Sequence, residues 1–324
     1  MEARTETGDW QRFASRFTDL EQNIERVIQG KSREVRLVLA GLIAEGHILI
    51  EDVPGVGKTM LAKALARSID CSFRRIQFTP DLLPTDITGV NVFSQERGDF
   101  EFRPGAIFAN IVLGDEINRA SPKTQSALLE CMEERQVTID AETYHLGAPF
   151  MVIATQNPIE HEGTYPLPEA QLDRFMMRIA IGYPAKDVET EILATHGVAS
   201  TLNDLEPVTD APGVGELIHQ ARLVHVSPTI RQYIVDVVEA TRKHPDVYLG
   251  ASPRASIMLL RASRATAAAE QRDYVIPDDV KSLTEPVLTH RVIITADAVM
   301  SGRSVGSILQ ELLAEVPVPV GGKA

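Results

Sequence analysis

An α/β fold with a parallel sheet, followed by a smaller all-helical domain, is predicted by three features of this 324-residue chain. Short apolar strand runs alternate with helical stretches through the first half. A Gly/Pro turn joins one of those runs directly to an alanine- and leucine-rich helix. Strand patterns then fade beyond Pro184.

The strand runs are Ile48–Glu51, 72–78, 111–113 and 150–155. The clearest helices cover 60–67 and 122–135. Ser121 is a natural N-cap for the second, and Pro122 fits its first position, where no amide is needed. Ala127, Leu128, Cys131 and Met132 then share one side. Between 80 and 104 the pattern is irregular, with Gly89 and Gly98 punctuating it, and 90–93 and 100–102 read as strands of an inserted hairpin. A second β excursion spans 136–146. After the turn signal Gly182-Tyr183-Pro184, helices are expected over 186–196, 213–223, 228–243, 253–270, from 278 onward and over 304–315. The 228–243 stretch sets Ile230, Tyr233, Ile234, Val237 and Val238 on one stripe of 3.6-residue period.

Composition narrows the function. Hydrophobic residues make up 44% and charged residues 24%, an ordinary globular balance. A formal charge of −13 argues against a surface that grips nucleic acid non-specifically. The two cysteines, Cys71 and Cys131, form no CxxC and read as free thiols in a reducing compartment. Glu45 interrupts the best apolar run, far short of the ~20 residues a membrane helix needs. Residues 1–6 lack the apolar centre of a signal peptide, so a cytoplasmic protein without direct membrane insertion is expected. Eight histidines supply no HExxH pair, and no G-x-S-x-G occurs, which disfavours zinc and serine-hydrolase chemistry.

Two motifs carry chemistry. Asp52-Val53-Pro54-Gly55-Val56-Gly57-Lys58-Thr59 follows the first strand run and opens a helix at Met60, the context of a phosphate-cradling P-loop. Glycines let backbone amides turn onto phosphate oxygens, and the helix N-terminus favours negative charge. Lys58 would reach the β/γ-phosphates and the Thr59 hydroxyl would ligate Mg²⁺. Asp52 departs from the first glycine of G-x-x-x-x-G-K-[ST]. The second motif, Ile111-Val112-Leu113-Gly114-Asp115-Glu116, is an apolar strand ending in two carboxylates. Asp115 is placed to hold the Mg²⁺ shell and Glu116 to polarise a water in line with the γ-phosphate. A solvated loop is the ordinary alternative for the Asp-Glu pair alone.

Five further residues fit a hydrolase completed by a neighbouring subunit. Asn157 could orient the attacking water or cap a turn before Pro158. Arg174 could serve as an arginine finger or form a surface salt bridge with Asp173 or Glu169. Arg178 is a rival finger if that segment is helical. Arg254 lies in the first turn of a helix, where a cation is disfavoured and wants an anion. Arg119 could face a partner or the phosphates.

Together, Glu51 to Thr59, Asp115-Glu116-Ile117-Asn118-Arg119-Ala120, Ala154-Thr155-Gln156-Asn157-Pro158 and Leu167 to Phe175 closely resemble the MoxR family of AAA+ ATPases, in the helix-2-insert clade. Lys123 to Glu130 fits as well, and the resemblance runs from about Ile28 to Leu313. It implies an AAA+ αβα nucleotide-binding domain over 1–183, a helical lid over 184–316 and a flexible tail over 317–324. Pro54, Gly55, Val56, Gly57, Lys58, Thr59 and Met60 would cradle ATP, with Thr59 and Asp115 on Mg²⁺. Glu116 would be catalytic, Asn157 sensor 1, Arg174 the finger acting in trans, and Arg254 sensor 2, closing the lid over phosphate. The 80–104 segment would be the helix-2 insert and 136–146 the pre-sensor-1 hairpin. Implied too are a homo-oligomeric ring, usually a hexamer, and a chaperone-like role in client remodelling, maturation or metal-cofactor loading. A von Willebrand factor A domain protein is the partner such a family implies. A magnesium-chelatase-type motor subunit or a nucleic-acid-linked AAA+ ATPase is the alternative.

Overall fold

The computed structural model describes residues 7–140, 142–158, 163–190 and 202–319. The chain lays down β1 (Ile48–Glu51) and β2 (Phe73–Gln77), then an inserted hairpin of β3 (Gly89–Ser94) and β4 (Asp99–Pro104). After β5 (Ile111–Asp115) comes a second hairpin, β6 (Gln136–Ile139) and β7 (Glu142–His145). Strands β8 (Met151–Gln156) and β9 (Met177–Ile179) follow. β1, β2, β5, β8 and β9 form one parallel sheet in the order β2-β5-β8-β1-β9.

Strand side chains alternate between faces, and both faces are covered. Ile48, Ile50, Ile111, Leu113, Met151 and Ile153 join the core beneath α1 (Thr7–Glu25), α2 (Ser32–Ile43) and α3 (Lys58–Ser68). Leu49, Ile76, Val112, Val152 and Ala154 belong to the opposite core, with α4 (Pro84–Thr88) and α5 (Pro122–Glu134). Two-sided burial explains why these strands read as unbroken apolar runs. Gly114 lies where a Cβ would come within 3.1 Å of the Phe78 ring, so even an alanine would push that ring aside.

The helical region contains Ala211–Leu223, Pro228–Lys243, Pro253–Ala269, Pro277–Leu288 and Val305–Glu315. Their starts follow local chemistry. The Asp210 carboxylate accepts the Gly213 amide at 2.9 Å, and Ser227 Oγ accepts that of Ile230 at 3.2 Å. Apolar residues of these helices continue the core beneath α1–α3, and α1 itself packs on Pro253–Ala269.

Three expectations need correction or limits. The region expected to be all helical also holds an antiparallel ribbon of β10 (Val247–Leu249) and β11 (Ile293–Ile294), too short to show a period. β9 is a strand of three residues, likewise unannounced by pattern, and it closes the sheet beside β1. The helix expected over 186–196 is present at 186–190, and its remainder lies outside the described residues, as does 320–324. Both inserted hairpins form where expected. They are joined by the Phe102–Tyr144 stack, 4.0 Å between centroids, and by Asn91 Nδ2 donating to Asp140 Oδ2 at 2.7 Å.

Candidate active site

Parallel strands all present their carboxyl ends at one edge of the sheet, where ligands bind in open α/β folds. There a cleft of about 400 Å³ gathers Gly55, Gly57, Lys58 and Thr59 from the turn, Asp115 and Glu116 from β5, and Asn157 from the end of β8. Pro54 and Met60 complete the turn side, and Arg75 reaches in from β2. Val56 instead packs against the core. Gly55 and Gly57 have φ of +86° and +95°. A Cβ at Gly55 would meet nothing within 4 Å, so backbone conformation rather than space calls for glycine. Lys58 Nζ donates to the Asp52 carbonyl at 2.6 Å.

The two carboxylates are held by a network centred on β8. Thr155, buried at the end of that strand, donates its hydroxyl to Asp115 Oδ1 at 2.6 Å and accepts the Glu116 amide at 2.9 Å. Asp115 Oδ2 accepts from Arg75 Nη2 at 2.6 Å and Nε at 3.1 Å. Gln77 Nε2 donates to Glu116 Oε2 at 2.9 Å, and Arg119 Nη1 reaches the same oxygen at 3.1 Å. Glu116 adopts φ +59°, left-handed backbone that costs an ordinary residue roughly 1–2 kcal/mol. Such strain concentrates at functional positions. Arg75, Gln77 and Thr155 were missed in the sequence reading. The one signal was Thr155, a hydroxyl at the end of an otherwise apolar run.

The arginines divide. Arg119 turns to Glu116, as above. Arg178 lies on β9, not on a helix, since α6 is only Glu169–Leu172. It pairs with Glu51 of β1 at 2.8 Å. Arg174 and Arg254 converge on one carboxylate of α5. Arg174 Nε is 3.0 Å from Glu133 Oε2, and Arg254 Nη1 is 2.8 Å from Glu133 Oε1. Neither is among the described residues lining the cleft of its own chain. Glu133 is thus the anion beside the helix-start arginine in this structure. The Arg174 segment is braced from the helical region. Arg291, with 1% of its side chain exposed, bonds Asp173 Oδ1 at 2.7 Å, the Asp173 carbonyl at 3.0 Å and the Phe175 carbonyl. Ser252 Oγ adds a bond to Asp173 Oδ2 at 2.9 Å. Burial pushes the Arg291 guanidinium down to about 10, still cationic at neutral pH.

The sequence that builds this P-loop and strand-end acidic pair is matched by a family model. Residues 47–177 match the ATPase family associated with various cellular activities (AAA), and 239–312 match the AAA lid domain. Chaperone MoxR1 of Mycobacterium tuberculosis (strain ATCC 25618 / H37Rv) is 44% identical over 305 residues, covering 91% of this chain and 80% of that one. The chain belongs to the MoxR family of AAA+ ATPases. Two further relatives agree along the length. The uncharacterized protein YeaC of Bacillus subtilis (strain 168) is 50% identical over 92% of this chain and 93% of its own. Protein MoxR of Paracoccus denitrificans is 31% identical over 96% and 98%. A crystal structure of a candidate ATPase from Cytophaga hutchinsonii superposes with a TM-score of 0.90 at 39% identity, covering 96% of this chain and 97% of that one. Like its family, this MoxR-type protein is a nucleotide-binding, ATP-hydrolysing enzyme. No helix among the described residues is long and apolar enough to cross a membrane.

Proposed function

We propose that ATP with Mg²⁺ binds in the cleft of one subunit and is hydrolysed when the next subunit of a ring supplies Arg174. The observation that carries this reading is the separation of parts. Lys58, Thr59, Asp115, Glu116 and Asn157 meet in one cleft, while Arg174 and Arg254 stand together on Glu133, outside it. In this reading Glu116 takes a proton from water as the oxygen attacks the γ-phosphorus and the bond to the β–γ bridging oxygen breaks. Asn157 orients that water, and Lys58 neutralises developing phosphate charge. Arg174 stabilises the same charge from the neighbouring chain, and Arg254, sharing its carboxylate, reads phosphate from that side too.

The donors suit magnesium. A hydroxyl and one carboxylate, all oxygen, match a hard cation that keeps waters and takes the rest of its shell from phosphates. Asp115 already has its second oxygen turned to the cleft cation Arg75. Held by Thr59 and Asp115, Mg²⁺ would supply charge neutralisation for the phosphates.

The motor's output, in this proposal, is chaperone-like remodelling or maturation of a client protein, metal-cofactor loading included, with a von Willebrand factor A domain protein as adaptor. Supporting it is the apolar pair Phe93 and Phe100 on the inserted hairpin, 53% and 67% exposed with ring centroids 5.4 Å apart. Exposed apolar side chains that adjoin one another, rather than lying scattered, offer a surface a client protein could cover.

The decisive experiment mixes two variants. Glu116→Gln should bind ATP and barely turn over. Arg174→Ala should bind ATP normally and lose activity by on the order of 10³-fold. Mixed, the two should regain part of the rate, because Arg174→Ala subunits keep an intact cleft and Glu116→Gln subunits an intact finger. Full activity of Arg174→Ala alone would eliminate it as the finger.

A further inference from the structure

The first position of the phosphate loop, glycine in the general pattern, is Asp52 here, and its carboxylate is buried. Oδ1 accepts the Val53 amide at 2.8 Å, and Oδ2 accepts the Gly182 amide at 2.6 Å. Gly182, with φ +67°, sits in the turn by which the chain leaves β9 for the helical region. Lys31 grips that turn from the other side. Its ammonium donates to the Ile181 carbonyl and, at 3.0 Å, to the Tyr183 carbonyl. An anion thus takes the turn's amide while a cation takes its carbonyls, both charge-assisted bonds. The backbone of Asp52 is engaged as well. Its amide donates to the Gln156 carbonyl at 3.1 Å, prolonging the β1–β8 ladder, and its own carbonyl receives Lys58 Nζ.

We infer that Asp52, together with Lys31, is a positioning residue that couples phosphate binding at Lys58 to the joint between sheet and lid. An ammonium has three donors. The Asp52 carbonyl takes one at 2.6 Å, which ties the ammonium that would meet phosphate to the Asp52 backbone. Drawing Lys58 toward phosphate pulls on the Asp52 backbone, and one hydrogen bond passes the displacement to Gly182. A glycine at this position would cradle phosphate equally well and transmit nothing. The inference rests on ATP hydrolysis at this cleft and holds whichever subunit supplies Arg174.

The test reads turnover and the joint together. Asp52→Asn keeps the shape but exchanges an acceptor oxygen for an amide donor, setting N–H against N–H. Lys31→Met removes the opposing grip. Each should lower kcat about tenfold, the effect of losing one charge-assisted bond, with KM for ATP moving less than about threefold. Hydrogen–deuterium exchange of the 178–190 peptide should slow in the wild type when a non-hydrolysable ATP analogue and Mg²⁺ are added. That slowing should vanish in both variants, persist in Glu116→Gln, and the double variant should be no worse than the weaker single one. Wild-type kcat in both variants overturns the inference, as does wild-type nucleotide protection of the turn in either. Should Asp52→Asn not fold, Lys31→Met carries both readouts. A wild type that binds no ATP would strike the nucleotide site itself, a result distinct from either.

Discussion

Thr155 shows how much one hydroxyl can organise. It donates to Asp115 and accepts from Glu116, so the proposed metal carboxylate and the proposed base share a single anchor at the end of β8. Thr155→Val preserves shape and removes both bonds, worth about 0.5–3 kcal/mol each. Steady-state kinetics should show kcat down by ten- to a hundredfold with ATP affinity nearly unchanged, and Thr155→Ser should restore it. Unaltered kcat in the valine variant would mean the two carboxylates need no such anchor. Arg75 makes a complementary prediction. Its guanidinium occupies the Asp115 oxygen that Mg²⁺ would approach. In Arg75→Gln the Mg²⁺ concentration for half-maximal activity should therefore fall, and a rise would assign Arg75 to holding phosphate instead.

Among the elements, the junction of β1, β8 and α5 is locked by His47. Its Nδ1 accepts the Val152 amide at 3.0 Å, which leaves the proton on Nε2 to bond the Met132 carbonyl at 2.9 Å. Burial, with Arg135 and Arg254 nearby, pushes this imidazole down to about 4, although the Met132 bond pulls the other way. His290, buried beside Arg291, is held well below its ordinary value too. The sign follows from proton counting. Between pH 6.5 and about 4 the unfolded chain binds a proton that folded His47 refuses, so stability present above pH 6.5 is lost as the pH falls. Each unit in that window costs about 1.4 kcal/mol through His47. Thermal melts from pH 7 to 5 should show a falling midpoint, and His47→Gln should flatten the slope, leaving the share due to His290. An unchanged slope would exclude His47 as its source. The brace of Arg291 and Ser252 on Asp173 is another element-level device, since it ties the Arg174 segment to the helical region.

For the whole molecule, a single apolar core runs from the sheet through α1–α3 into the lid helices. A lid movement on that continuous core would slide packed helices rather than swing an independent body. The proposed completion of the site by a neighbour has a consequence for dilution. The ATPase rate per subunit should fall as subunits separate, and sedimentation should show the loss of rate and of assembly together. A rate per subunit that stays flat down to monomer would overturn the ring reading.

From the sequence by itself came the P-loop, the acidic strand end, the two inserted hairpins and the bounds of most helices past Lys58, because each rests on neighbours in the chain: turn glycines, caps, and periods of two or 3.6 residues. The Pro228–Lys243 helix coincides with its periodic stripe to the residue. Tertiary structure alone decided the rest. Strands β9, β10 and β11 have three residues or fewer, too few for a period, and exist through their partners. Hydrogen bonds from Thr155, Gln77 and Arg75 to the carboxylates join residues about 40 positions apart. That Arg174 and Arg254 meet on Glu133, and that Asp52 holds Gly182 across 130 residues, likewise follows from sheet order and lid packing. Local chemistry writes the element and its motif; only the packed chain brings distant polar groups within the 3 Å at which they act.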